Sequence, residues 1–297
     1  MKTLSPDILL LVKSLFEKNK WGIAKGGDPH NTFSRFCERL SLFEKQHQLF
    51  LLELSNEFIW IKMSEYLERF YESLFCILDQ IDPKQKIYVY PLLEPYTVIS
   101  ESAKEEIKIP RSKSKSANFL CYYFEAEDWS WIGHNFIIGR SIKYLKKTFK
   151  NDDSKLFLVD DFVGSGETAI AACRGFLNES YNGQTLNPDN LKVISIAAQK
   201  DGIQRVRNEL NVEVVSNIII GKGIQESKMG IGLEERYSLM DSIEKILKVE
   251  DEMKYGYCQC EAMITFLSKT PNNTFPVYWK NTKTKMAPFP RTKVIYG

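Results

Sequence analysis

The chain has 297 residues, of which 43% are hydrophobic and 26% are charged, and its formal net charge at pH 7 is +2. This length allows one large domain or two modest ones, and the apolar fraction supports a real hydrophobic core. The near balance of charge favours no particular class of partner. No apolar stretch is long enough to cross a membrane, which excludes a helical integral membrane protein.

The cysteines and histidines do not form a recognisable metal motif. Only Cys258 and Cys260 are close in sequence, and a C-x-C pair without a second pair of ligands is a weak metal signal. We therefore predict no metal site built from protein side chains alone. The apolar run at residues 9–12 is too short for a secretion signal, so the sequence predicts a cytoplasmic protein with reduced thiols.

The first 82 residues show the periodicity of helices. Apolar residues recur at helical spacing through residues 32–54 and again through residues 56–81. We predict a helical N-terminal subdomain over residues 1–84, which serves as a scaffold or an oligomer interface. The alternative, a winged-helix-like nucleic-acid binder, lacks a clear basic recognition helix.

The stretch KIYVYPLL at residues 86–93 predicts the first strand of a core domain. The polar residues 100–116 that follow predict a loop. This loop is either a solvated segment or a means of bringing Lys113 and Ser114 to a phosphate group. Two further elements are predicted before the next strand, namely a strand over residues 118–125 and a helix over residues 137–149.

The stretch KLFLVDDFVGSGET at residues 155–168 carries the main chemical signal of the sequence. Its parts are an apolar run (156–159), two acids (Asp160 and Asp161), a loop with Gly164, Ser165 and Gly166, and Thr168 at the start of an alanine-rich helix. Glycines let successive N–H groups point into one cavity, and the helix N-terminus adds free N–H groups and the positive end of its dipole. The turn therefore favours the binding of an anion, to which the hydroxyls of Ser165 and Thr168 can donate hydrogen bonds.

The two acids beside this turn narrow the ligand class. Carboxylates would repel a phosphate that they touched, but they are suited to accept hydrogen bonds from sugar hydroxyls a short distance away, as in a ribose 5-phosphate. A P-loop fits worse, since the turn has no lysine, and a dinucleotide fingerprint needs three spaced glycines without an acidic pair. The remaining alternative is a buried strand that ends in an ordinary Asp/Gly turn.

Residues 155–168 closely resemble the phosphoribosyl-diphosphate signature of the type I phosphoribosyltransferases. In that family four apolar residues, two acids and a short loop with glycine and serine or threonine follow in this order. The resemblance implies that Asp160 and Asp161 lie near the ribose hydroxyls, directly or through a Mg²⁺ ion bridged by the ligand, and act as the catalytic residues. It also implies ligand contacts from Val163, Gly164, Ser165, Gly166, Glu167 and Thr168, and Lys113 and Ser114 are predicted to add phosphate contacts.

The loop after the first strand departs from the family pattern. In type I phosphoribosyltransferases this loop binds pyrophosphate, usually through a small-residue turn with a basic residue. Here the strand runs into the sequence PLLEP at residues 91–95. The departure favours the alternative to catalysis, which is a non-catalytic module that senses a ribose-phosphate ligand or docks a partner.

Strands alternate with helices after the signature. A buried strand is predicted over residues 191–198, a helix over residues 201–210, and one or two further strands over residues 212–221. Alternation of this kind predicts a doubly wound, mostly parallel sheet with the ligand beyond the carboxyl ends of the strands. We therefore predict an α/β domain of the type I phosphoribosyltransferase type over residues 85–297, with the helical N-terminal extension before it.

The C-terminal third adds a second resemblance. The sequences GYCQC at residues 256–260 and TPNNTFP at residues 270–276 are followed by Tyr278-Trp279. Together with the helical N-terminus and Lys113-Ser114, they look like the phosphoribosyltransferase-like effectors of bacterial conflict systems. Some of these effectors lie beside retron or other anti-phage loci, which implies a defence role and a protein or nucleoprotein partner. The expected activity is transfer or hydrolysis at C1 of phosphoribosyl diphosphate or a nucleotide, with Mg²⁺.

Overall fold

The structure is a computed structural model that describes residues 4–23, 31–93, 95–99, 106–110, 116–138, 142–266 and 269–291. The α-helices are α1 (Pro6–Lys18), α2 (Thr32–Leu40), α3 (Lys45–Leu54), α4 (Met63–Leu78), α5 (Ser116–Ala126), α6 (Ile142–Thr148), α7 (Glu167–Leu177), α8 (Lys200–Leu210), α9 (Leu233–Ile246) and α10 (Pro276–Trp279). The strands are β1 (Ile59–Ile61), β2 (Lys86–Pro91), β3 (Pro95–Ile99), β4 (Glu106–Pro110), β5 (Asn135–Ile138), β6 (Ser154–Val163), β7 (Ser180–Tyr181), β8 (Gln184–Thr185), β9 (Leu191–Gln199), β10 (Glu213–Ile220) and β11 (Ile264–Phe266).

The chain forms two compact units. Unit 1 consists of Met1–Ser64 and Gly221–Gly297, and unit 2 consists of Glu65–Ile220. These limits differ from the division into residues 1–84 and 85–297, which stays a prediction. Among the described residues, no helix combines the length and the apolar character that a membrane span requires.

Unit 2 is built on a five-stranded sheet with the order β10-β9-β6-β2-β5, in which every neighbouring pair is parallel. Its central strand β6 carries the apolar run Leu156, Phe157, Leu158 and Val159, all fully buried. A strand covered on both faces needs such a continuous apolar run, in contrast to the alternation of a half-exposed strand. The predicted α/β fold with a mostly parallel sheet is confirmed.

Unit 1 joins the two ends of the sequence in one core. Strand β1 pairs in parallel with β11, and Ile59 lies opposite Ile264. The ring of Phe58 stacks on that of Phe289 with their centroids 5.1 Å apart, and Trp21 meets the same Phe289 edge-on at 5.8 Å. The predicted N-terminal helices are present as α1 to α4. The first three of them share a hydrophobic core with the C-terminal segment.

Two predicted elements between the first strand and the signature are wrong. Residues 118–125 were expected to form a strand, but they lie in helix α5. The aromatic residues of this segment are typical of strands, yet its buried side chains Ala117, Leu120, Cys121 and Phe124 follow helical spacing. Of the described residues in the helix predicted over 137–149, Ile137 and Ile138 lie in edge strand β5, and only those of α6 are helical.

The N-terminal helices are also divided more finely than predicted. The continuous helix expected over residues 32–54 consists of α2 and α3, which are separated by a turn. Strand β1 interrupts the helix expected over residues 56–81, so that only α4 remains helical. Helical periodicity persists across short breaks in the helix, and this explains why the apolar spacing did not reveal them.

Candidate functional site

The candidate site lies where β6 meets α7 in unit 2. Strand β6 continues to Val163, so Asp160 and Asp161 are part of the strand and do not follow it. Asp160 lies opposite Ser195 of β9 in the sheet register. The loop Gly164-Ser165-Gly166 then leads directly into α7. The sequence of strand, acidic pair, glycine turn and helix is thus present, and it falls at the carboxyl edge of the parallel sheet, where α/β folds bind their ligands.

Two glycines bring this loop into close contact with helix α8. Gly166 has a φ of +81°, a left-handed conformation that side chains rarely adopt, and a Cβ there would lie 2.9 Å from the carbonyl oxygen of Gly202. In return, a Cβ on Gly202 would lie only 2.0 Å from the carbonyl oxygen of Gly164. The two backbones therefore pack without any side chain between them, which fixes the shape of the loop.

The loop and the start of α7 present the donors that an anion requires. The first N–H groups of a helix have no intrahelical partner, and the Gly166 carbonyl already accepts the first helical bond from Ile170 at 2.8 Å. The Glu167 carboxylate lies in the same first turn, and Arg205 of α8 pairs with it at 3.5 Å. This pairing offsets part of the negative charge that Glu167 would present to an anion.

The Asp160 carboxylate is partly exposed and is held by two donors. The Ser116 hydroxyl at the start of α5 donates to Asp160 Oδ1 over 2.6 Å. The backbone N–H of Asp161 donates to the same oxygen over 2.9 Å. Asp160 is therefore the acid of the pair that lies at the surface of the site.

Asp161 has different surroundings, because only 8% of its surface is exposed. Burial, together with the neighbouring charge of Asp160, raises the pKa of the Asp161 carboxyl well above its usual range. The hydroxyls of Ser116 and Tyr66 oppose this rise but do not cancel it. The pair accordingly holds one proton much more readily than two isolated aspartates would.

Several residues of the site were not identified from the sequence. Gly202 was predicted only as part of a helix, and no sequence signal marks its contact with the Gly164 carbonyl. Ser116 ends a serine- and lysine-rich run that was interpreted as a loop, so its role at the start of a helix was hidden. Tyr66 comes from α4, far away in sequence. These residues are brought to the site by the fold alone.

Two predicted site residues lie outside the described part of the chain. Lys113 and Ser114 lie outside the described residues, as does Glu94 of the loop after β2. Cys258 and Cys260 belong to unit 1. Among the described residues, no group of three or more histidine, cysteine or acidic side chains has an arrangement that could hold a metal ion. Mg²⁺ commonly keeps several waters and binds through substrate phosphates, so a ligand-bridged ion remains compatible with this site.

A comparison with known protein families gives a match. A family model described as PRTase-CE matches residues 40–291, which include both the signature and the C-terminal third. None of the curated proteins matches the chain. The matched segment covers all of unit 2 and most of unit 1.

Proposed function

The chain belongs to the PRTase-CE family of phosphoribosyltransferase-like proteins, and from this premise we propose that it binds a ribose 5-phosphate ligand. The ligand is phosphoribosyl diphosphate or a nucleotide, and the protein acts at its C1 atom by transfer or hydrolysis. The single observation that carries this proposal is the loop Gly164–Gly166, which is packed on Gly202 and lies beside the half-exposed carboxylate of Asp160.

Each part of the signature has a distinct role in this proposal. The N–H groups of the loop bind the 5-phosphate, together with the N–H of Glu167, which in the structure donates to Ser165 Oγ over 3.5 Å. The Ser165 and Thr168 hydroxyls add donors. Val163 ends the strand that positions the loop. The Asp160 carboxylate accepts hydrogen bonds from the ribose hydroxyls. Asp161 acts from within the protein, because its buried side chain fixes the strand beneath Asp160.

Reaction at C1 develops positive charge on the ribose ring as the bond to the leaving group breaks. A carboxylate fixed near the ring stabilises such a centre without reorganisation. A Mg²⁺ ion bridged by the ligand would neutralise negative charge on a diphosphate leaving group. Lys113 and Ser114 keep their predicted role as additional phosphate contacts.

A non-catalytic module is the second candidate, and the end of β2 favours it. The two residues after this strand, Leu92 and Leu93, are 1% and 5% exposed. The N–H of Leu92 donates to the Val159 carbonyl over 2.9 Å, so it is not presented to a ligand. These two residues offer pyrophosphate no charge, and the N–H of Leu92 is already used within the sheet. In this alternative the protein senses a ribose phosphate or docks a partner.

The biological setting is also a proposal. The resemblance to effectors of bacterial conflict systems implies that the protein acts in anti-phage defence with a protein or nucleoprotein partner. In that setting a ribose-phosphate site would either deplete a nucleotide pool or report on it. The site chemistry is the same in both cases, so the ligand has to be tested first.

Calorimetric titration with phosphoribosyl diphosphate and Mg²⁺ tests the binding proposal. Gly166→Val should abolish binding, because the loop loses its left-handed turn and its contact with Gly202. Gly183→Val is the matched control, since Gly183 also has a φ of +81° but a Cβ there would meet nothing within 4 Å. Unchanged affinity in Gly166→Val would contradict the proposal. Release of pyrophosphate or base, followed by phosphorus NMR, separates the enzyme from the sensor.

A further inference from the structure

The hydroxyl of Ser116 makes a short hydrogen bond in the candidate site. It donates to Asp160 Oδ1 over 2.6 Å, within the range expected for an O–H group bonded to a carboxylate. Ser116 is the first residue of α5, and a carboxylate near a helix N-terminus is favoured by the helix dipole. The hydroxyl and the start of the helix therefore both stabilise Asp160 in its ionised form.

The bond restricts the orientation of the Asp160 carboxylate. The terminal torsion of an aspartate side chain has a broad energy profile, so an unrestrained carboxylate samples many orientations. Here the Ser116 hydroxyl and the Asp161 N–H both donate to Oδ1. Two donors bonded to the same oxygen hold that oxygen in place and so restrict rotation of the carboxylate.

Helix α5 is itself held rigidly, so Ser116 has a defined position. Phe124 of α5 stacks on Trp129 with their ring centroids 4.2 Å apart and meets Phe70 of α4 edge-on at 5.6 Å. Near the other end of the helix, Phe119 meets Tyr66 edge-on at 5.7 Å. Buried aromatic contacts of this kind allow little displacement of the helix.

We propose that Ser116 is a positioning residue, which holds the Asp160 carboxylate in the orientation that accepts a ribose hydroxyl. The inference rests on the proposed function, because it assigns a role in ligand binding. Ser116 does not touch the ligand in this arrangement. Because the Asp160 carboxylate is already restricted before the sugar binds, the entropic cost of ordering it on binding is smaller. Such preorganisation raises affinity without adding a contact.

The test is a set of affinities for phosphoribosyl diphosphate with Mg²⁺, measured on the full chain by calorimetry. Ser116→Ala should weaken binding about tenfold, whereas Ser116→Thr keeps the hydroxyl and should bind within about twofold of the wild type. Ser180→Ala, an exposed serine in the same unit, is the control for a serine-to-alanine change. Circular dichroism of each variant verifies that the fold is kept.

A double-mutant cycle shows whether Ser116 acts through Asp160. If it does, Ser116→Ala should cause little further loss in the Asp160→Asn background. Full additivity of the two changes, or equal losses in Ser116→Ala and Ser116→Thr, would overturn the proposal. A wild-type protein that does not bind the ligand would refute the proposed function itself. Wild-type binding that is unaffected by Ser116→Ala refutes only the role of Ser116.

Discussion

Asp160 and Asp161 are adjacent in sequence but differ in exposure and in surroundings. Asp160 is partly exposed and bonded to Ser116, whereas Asp161 is buried and the pKa of its carboxyl is raised. A buried, protonated aspartate resembles asparagine in shape and charge. The acidic pair could be predicted from the sequence, but the burial that separates their roles could not, because it depends on α4 and α5.

This difference predicts unequal effects of two conservative changes. Asp160→Asn should weaken binding of phosphoribosyl diphosphate about tenfold or more, since a charged acceptor contributes roughly 1.5–3 kcal/mol against about 1 kcal/mol for a neutral one. Asp161→Asn changes a side chain that is buried and whose pKa is raised, so it should reduce affinity much less than Asp160→Asn does. Calorimetry on both variants is the measurement. An equal loss in Asp161→Asn would show that this side chain also meets the ligand in its charged form.

Gly202 gives a second prediction at the residue scale. Alanine in place of glycine inside a helix normally adds about 1 kcal/mol of stability. At Gly202, however, the new Cβ would lie 2.0 Å from the Gly164 carbonyl oxygen, so the loop or the helix must shift. Gly202→Ala should therefore lower the free energy of unfolding by about 1–3 kcal/mol and weaken ligand binding at least tenfold.

Gly230→Ala is the control for that experiment, because a Cβ at Gly230 would meet nothing within 4 Å. Urea denaturation and calorimetry on both variants measure the two effects. A Gly202→Ala protein that is more stable than the wild type and binds normally would show that the loop does not pack on α8. No feature of the sequence around Gly202 indicates this contact, because its partner Gly164 is 38 positions away in the chain.

At the scale of elements, burial on both faces made some segments predictable. Strands β6 and β9 each contain a long buried, largely apolar segment, and both were expected within a few residues of their true ends. Strand β5 and helix α5 were predicted wrongly. Strand β5 has four residues at the edge of the sheet, and α5 is rich in aromatic residues that also favour strands. Packing decides the conformation of such short or ambiguous segments, and packing is not visible in local sequence.

Helix α9 carries a buried acid that makes stability depend on pH. Glu244 is 1% exposed and accepts the N–H of Tyr255 at 2.9 Å. Burial raises the pKa of Glu244 from 4.5 to about 7, Asp241 adds to the rise, and Lys254 opposes it. The folded protein thus keeps the proton that the unfolded chain releases above about pH 4.5. The free energy of unfolding should fall between about pH 4.5 and 7, by about 3 kcal/mol from this group.

Glu244→Gln removes the titration but keeps an oxygen for the Tyr255 N–H. Urea midpoints measured from pH 4.5 to 8 should fall less steeply in this variant than in the wild type. Some slope should remain, because the pKa of Asp161 is raised as well. Glu235→Gln, an exposed change on the same helix, is the control and should leave the slope unaltered. An identical slope in Glu244→Gln would contradict the assignment.

At the scale of the whole molecule, the chain order and the compact units do not coincide. Unit 1 takes its core from both ends of the sequence, as the contacts of Trp21 and Phe58 with Phe289 show. Helix α4 continues past the boundary at Ser64 and packs within unit 2. The first boundary, at Ser64, falls inside helix α4 and carries no glycine- or proline-rich linker, whereas Gly221 and Gly223 stand directly at the second boundary. A single cut after residue 84 was therefore the natural prediction, although two discontinuous segments form unit 1.

The units lead to a prediction about fragments. A fragment of residues 65–220 contains all but the first two residues of α4, the five-stranded sheet and the described candidate site, so it should fold cooperatively and bind phosphoribosyl diphosphate. A fragment of residues 85–297 lacks α4, whose side chains Tyr66, Phe70, Leu74 and Ile77 are buried. It also lacks the N-terminal helices that share a core with α9 and α10. Because both of its cores are incomplete, this fragment should aggregate or show no cooperative unfolding.

Near-ultraviolet circular dichroism, urea denaturation and calorimetry on the two fragments are the measurements. A folded, ligand-binding fragment of residues 85–297 beside an unfolded fragment of residues 65–220 would contradict the compact units and favour the border after residue 84.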